Sequence, residues 1–585
     1  VAHIDSSGAA GAQRPTADPV GPAGGAAVRE RPEHGDALFA AAGPADASFD
    51  AVAAAIVDDL LASDPELATD LGDHRFDHQL ADNSPTGLER ERRMLVARLA
   101  QLDAVPTAAL SLGRTVAAAI LRNRLAGRHF ALTELREHTW NPLFANPGGA
   151  LYPLLTRDYA PAAERLRAVA GRLAAVPEHL AAARAQMTTM PRVHVETALV
   201  QFAGTAALII DEVDALLAAE PRLAAEVAGP REQALAAIER HREWLSSRLV
   251  GANRDPRIGA RHFARKLSHT LDAASGADDV LRRAESHLEQ IEEEIAQTAA
   301  RLSGERAHTP GLVRQVLDSL ADDRPDNETI VAVAERAMTE AMAFTEAHDL
   351  VTVYDDPVRI IVMPEVRRGV AVAYCDAPGV LEAAPGPTFF AISPTPADWS
   401  PARVESFYRE YNSSLLYSMA AHEAVPGHML QLGHARRFAA PRWAKAIFTS
   451  GTFIEGWAVY TEQLLVDRGF VGDRLRMCQL KMQLRTTINA ILDARVHAHG
   501  MTEDEAMRLM TGRGHQEEGE AAGKWRRAQL TSTQLSTYFV GYVEVTDLVR
   551  DLRTARPKLT DRQVHDAVLA YGSAAPKYVR QLLGL

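Results

Sequence analysis

Residues 418–437 read SMAAHEAVPGHMLQLGHARR, and the order His422, Glu423, His428 within them organises the reading of the whole chain. Two imidazoles are donors that zinc prefers, and an adjacent glutamate that does not ligate can take a proton from water activated by the metal. On an uninterrupted helix, six residues at about 100° each leave the two rings roughly 120° apart, off a common face. Pro426 has no amide to bond back to the His422 carbonyl, and Gly427 relaxes the backbone beside it. A local bulge that absorbs two residues is therefore expected to swing His428 round to His422.

A third donor is expected from GTFIEGWAVYTEQLL (451–465), where Glu455 heads a stripe of Ile, Trp, Val and Leu. A carboxylate there is costly to bury unless it is paired or bound to a metal. Glu462, two turns on, is a candidate to orient a ligand histidine; as a helix-face charge it would do nothing of the kind. Further on, Asp493 and His497 share a helical face at i and i+4, with Arg485 two turns earlier, and an Asp can fix the tautomer of such a His. Gln534, Tyr538, Gly541 and Tyr542 fall on another expected helix, and the Tyr538 phenol is a candidate donor to an oxyanion. Packing of its ring in a core is the competing reading. His434 and His499 lack a partner pattern and read as ordinary histidines.

Outward from this region the chain is dominated by apolar residues at spacings of three and four, as in FDAVAAAIVDDLLA (49–62), ERRMLVARLAQLDA (91–104) and ERLRAVAGRLAAVPEHLAAARAQM (164–187), the mark of amphipathic helices. Thr86-x-x-Glu89, Thr502-x-x-Glu505 and Thr560-x-x-Gln563 have capping-box spacing, and Gly572 suits a helix stop. VRIIVM (358–363), VAVAY (370–374) and TFFAI (388–392) are instead short and β-rich, so a small sheet is expected just before the metal-binding helices. Residues 1–46, rich in Ala, Gly and Pro, read as a disordered tail. An N-terminal helical lobe over 47–345 and a catalytic lobe over 346–585 are expected to follow.

Composition narrows the function classes. A net charge of -13 over 585 residues, without a Lys/Arg-rich block, disfavours nucleic acid as a partner. No uninterrupted apolar run of membrane-spanning length is present, and the start has no signal-peptide pattern, so no membrane partner and a cytoplasmic location are expected. Cys375 and Cys478, the two cysteines, read as reduced packing residues.

PELATDLGDHRFDHQLADNS (65–84), WNP (140–142), YCDAPG (374–379), HEAVPGH (422–428), EGWAVYTE (455–462), DARVHAHG (493–500) and QLSTYFVG (534–541) occur in the order found in a bacterial family known as domain of unknown function 885, of the zincin-like metallopeptidase clan, which the chain resembles from about Ser48 to its end. The resemblance implies a mainly α, multi-helical zincin-like body with a deep cleft, Zn2+ on His422, His428 and Glu455, Glu423 as base, and His497 and Tyr538 lining the cleft. It departs from the family where a second histidine often follows PGH and this chain has Met429. The reaction expected is hydrolysis of an amide or peptide bond in a small peptide-like or acyl-amino-acid substrate, aligned along the sheet edge near Val370 to Tyr374. A metal-dependent lyase, cyclase or transferase and a catalytically silent zinc protein are the alternatives; oligomeric state is not readable from the chain.

Overall fold

The computed structural model describes residues 38–40, 43–273, 275–363 and 372–585. It is mainly helical, with one three-stranded sheet. Most of the expected tail lies outside the described residues; the first helix, Pro44–Ser63, begins just inside it, and its buried Asp46 accepts a hydrogen bond from the Ser111 amide at 2.9 Å. The capping boxes at Thr502 and Thr560 form as expected. The third does not. Ser84 caps the helix Pro85–Asp103 instead, because Pro85 suits the first helical position and sets the cap two residues before Thr86.

The sheet comprises β1 (Val358–Val362), β2 (Ala373–Asp376) and β3 (Thr388–Ile392) in the order β1-β3-β2, with β1 parallel and β2 antiparallel to the central β3. Of the expected VAVAY strand, Val370 and Ala371 lie outside the described residues, and the described pairing starts at Ala373 and runs on to Cys375 opposite Phe390 and Asp376 opposite Phe389. Val372 O accepts from Ser393 N, so the amides of Tyr374 and Asp376 face β3 while those of Ala373 and Cys375 point to the open edge.

Apolar packing does not divide at residue 345. Residues 145–252 have a core of their own, whereas helices from 44–125 share one with the C-terminal helices, and helical residues from 263–334 share another with the sheet and the helix Asp473–His499. An amphipathic stripe states that a helix needs a partner and leaves the partner unspecified. Arg192–Ala219 is long and apolar enough to cross a membrane, yet it packs on Gly148–Thr156 and Ala224–Arg248 within the 145–252 core, with half of its most apolar stretch buried.

Candidate metal centre

The helix Ser413–Glu423, capped by Asn412 accepting from Leu415 N, delivers His422 and Glu423 on its last turn. The helix ends there. A second helix, His428–Arg436, starts afresh, so the Pro-Gly element is a complete break and not the expected bulge. The reason is steric as well as the missing amide of Pro426: Gly427 lies so close to the preceding turn that a Cβ on it would come within 1.9 Å of the His422 carbonyl oxygen. The Val425–Pro426 peptide is cis, and the Trp457 indole donates to Pro426 O at 2.8 Å, tying the break to the helix Gly451–Asp467.

That helix supplies Glu455. Its Oε2 lies 3.7 Å from His422 Nε2 and 3.6 Å from His428 Nε2, and one donor atom from each of the three residues falls within 4.8 Å of the others. A tetrahedral ion with metal–donor bonds of about 2.0–2.1 Å holds its donors roughly 3.4 Å apart, so these three suit a zinc ion with a coordination position left over. Glu462 accepts from His422 Nδ1 at 2.8 Å and from Ser418 Oγ at 2.8 Å, which turns the Nε2 lone pair of His422 toward the cluster. His428 Nδ1 is buried without a hydrogen-bond partner among the described residues. Burial alone would lower the pKa of His422, but hydrogen bonds to Glu455 and Glu462 outweigh it and raise it well above the ordinary value. Burial would raise that of Glu455; the two histidines override it and hold this carboxyl below the usual carboxylate range.

Glu423, next in the chain to His422, accepts from the amide of Cys375 at 2.9 Å, so the open edge of β2 faces the helix Ser413–Glu423. Burial raises the Glu423 pKa, against the pull of His422 and His428. The strand is braced from far away in the chain. Leu381 N donates to Leu71 O at 2.8 Å, a Cβ on Gly379 would lie 2.3 Å from Leu71 C, and Arg157 hydrogen-bonds Asp376 and the carbonyl of Ala377. The N-terminal PELATDLG segment therefore buttresses the strand that holds the candidate base.

The helices Gly451–Asp467 and Ser536–Ala555 cross at two glycines. A Cβ on Gly456 would lie 2.3 Å from Gly541 C, and one on Gly541 would lie 2.0 Å from Thr452 O. Only glycine permits this approach. Tyr538 sits one turn before Gly541 on the same face, which sets it beside the crossing that positions Glu455. Its hydroxyl oxygen accepts from Arg527 at 3.4 Å and Gln534 at 3.3 Å, leaving its own hydrogen free to be donated.

With this geometry in hand, a family of bacterial proteins of unknown function, DUF885, matches residues 65–583. The chain belongs to this family. The match begins later than the Ser48 expected from the resemblance. Two solved structures are similar to this DUF885 chain. One is a candidate lipoprotein of unknown function from Shewanella oneidensis, 28% identical, TM-score 0.77, covering 93% of this chain and 100% of that one. The other is a candidate lipoprotein from Colwellia psychrerythraea, 15% identical, TM-score 0.74, covering 93% and 99%, a likeness of fold alone. No curated protein matches.

His497 has a different task in this DUF885 member from the one expected of it. Its Nε2 faces the carbonyls of Ala528 and Thr531 at 2.9 and 2.8 Å, fastening the end of the helix Glu518–Leu530, and burial pulls its pKa down, so the ring is neutral with its proton on Nε2. No hydrogen bond or ion pair among the described residues joins it to the metal cluster; it lines a separate cavity of about 220 Å³ with Glu137, His194 and Lys266. Asp493 accepts from Thr533 N, Ser536 N and Ser536 Oγ and so organises the start of the Tyr538 helix instead of hydrogen-bonding His497. The i, i+4 spacing was correct for a shared face, but both side chains found main-chain partners across it. Arg485 pairs with Glu520. Met429, at the position of the expected second histidine, is buried in the apolar core, and His434 bonds Thr352 O at 2.8 Å, as an ordinary histidine would. Cys375 and Cys478 are free thiols whose pKa values burial pushes up. The Cys375 amide and Arg527 escaped the sequence reading: the first is main chain, and the second carried no motif.

Proposed function

We propose that this chain is a zinc-dependent, zincin-like hydrolase that cleaves an amide or peptide bond in a small peptide-like or acyl-amino-acid substrate. The observation that carries this reading is the convergence of His422, His428 and Glu455 at a spacing that suits a tetrahedral ion, with Glu423 next in the chain to His422 and in the electrostatic field of all three. A zinc ion there supplies Lewis acidity toward water and the scissile carbonyl. Glu423, steadied by the Cys375 amide, takes the proton of the attacking water and returns it to the leaving amine. Tyr538, whose oxygen already accepts two hydrogen bonds, donates its own to the carbonyl oxygen as negative charge grows. The outward amide of Ala373 on the open edge of β2 supports alignment of an extended substrate by strand addition.

The Shewanella oneidensis relative is a candidate lipoprotein, which supports a setting outside the cytoplasm over the cytoplasmic one expected from the first residues. Glu423→Gln is expected to bind stoichiometric zinc by elemental analysis while turnover of acylated short peptides falls by at least about a hundredfold; full activity in that variant would remove Glu423 from the chemistry. In ¹⁸O-labelled water the label must enter the product carboxylate, and its absence there would favour elimination or cyclisation.

A further inference from the structure

The helix Glu518–Leu530 carries a charged stripe that the hydrolytic reading leaves unused. Glu520, Lys524 and Arg527 fall at i, i+4 and i+7, on one face and about 10 Å from end to end. At one end Glu520 pairs with Arg485, which also contacts Tyr411 Oη at 3.3 Å. At the other, Arg527 donates to Gln534 at 2.8 Å and to the hydroxyl of Tyr538. Alongside, Lys481 pairs with Glu410 at 2.8 Å.

Those pairings leave the charge unbalanced. Arg485 and Lys481 each have a carboxylate, whereas Arg527 has only neutral partners and Lys524 has no hydrogen-bond or ion-pair partner among the described residues, although it is 5% exposed. An ammonium on a buried side chain with no carboxylate hydrogen-bonded to it is costly to keep, and the same group gains most from an arriving anion. Burial first, then the positive charges of Arg485 and Arg527, outweigh the pull of Glu520 and Glu410 and hold the Lys524 pKa well below the usual lysine range, a penalty that a further anion relieves. The end of the stripe touches Tyr538, the donor assigned to the scissile carbonyl.

We propose that Lys524 and Arg527 form a subsite for a carboxylate of the substrate, so that the protein selects compounds carrying a free carboxylate close to the bond that is cut. The placement relative to the scissile bond rests on the hydrolytic reading; the binding of a carboxylate does not require turnover. The test is calorimetric titration of zinc-loaded Glu423→Gln with benzoyl-glycyl-glycine, with its C-terminal amide, and with benzoyl-glycyl-aspartic acid blocked as the α-amide. The free acid is expected to bind about tenfold or more tightly than its amide, and adding Lys524→Met should erase that difference. The third probe tells a terminal carboxylate from a side-chain one: affinity like the acid means either serves, affinity like the amide means only the terminus does. Equal binding of acid and amide, no measurable binding of either, or a preference that survives Lys524→Met would overturn the proposal. If Lys524→Met does not fold, Arg527→Gln carries the same comparison. Failure of unsubstituted zinc-loaded protein to cleave any of the probes counts against the hydrolytic reading alone, because binding is measured on a variant made not to turn over.

Discussion

Glu462 sits two turns beyond Glu455 on one helix, so a single element supplies one proposed metal ligand and the group that orients another, His422. Removing it frees the imidazole to rotate and leaves Ser418 without its acceptor. Glu462→Ala is expected to weaken zinc binding about 10- to 100-fold in competition with a chromogenic chelator. Unchanged affinity would mean that packing alone holds the ring. At this scale the sequence was informative wherever the chemistry lies in side chains at helical spacing, as for Glu455 and Glu462. It was silent about the group that holds Glu423, because that group is the amide of Cys375, 48 residues earlier, and every residue has an amide.

Between elements, backbone approach decides the geometry. Gly427 lets one helix end and the next begin within four residues, and Gly456 against Gly541 lets two helices touch backbone to backbone beside Glu455. Adding a methyl at Gly541 forces these helices apart, so Gly541→Ala should cost about 1–3 kcal/mol or more in denaturant unfolding. It should also weaken zinc binding, since Glu455 moves with its helix. A variant with the parent's midpoint and zinc affinity would show that the crossing tolerates displacement. The Pro-Gly interruption was recognisable from residue types, yet bulge and break differ only in how closely Gly427 packs on the preceding turn, a distance that residue types do not encode.

Across the whole molecule, His74 joins the N-terminal helices to the segment after β2. Its ring lies 2.9 Å from Asp77 and 3.2 Å from Glu382 and stacks on Tyr159 at 3.9 Å. Burial lowers its pKa, but the hydrogen bonds to Asp77 and Glu382 more than reverse this and raise it from 6.5 to about 9. A raised folded-state pKa means that the charged ring stabilises fully below the unfolded value and ceases to do so as pH climbs through about 9. His74→Gln should therefore lower the unfolding midpoint most below pH 6.5, with variant and parent converging above 9; a gap constant with pH would assign the effect to stacking on Tyr159. Such links run between segments some 300 residues apart, and they explain why the cores ignore the division expected at residue 345. What the residue order settled by itself was the helical class, the place of the small sheet and the set of candidate ligands, because periodicity, propensity and donor chemistry are local. Which stripes pack together, that His497 serves a neighbouring helix end, that the Gly541 crossing lays the Tyr538 helix on the Glu455 helix, and that Lys524 is buried without a hydrogen-bonded carboxylate were decided only by the tertiary structure, since each depends on what long-range packing brings alongside.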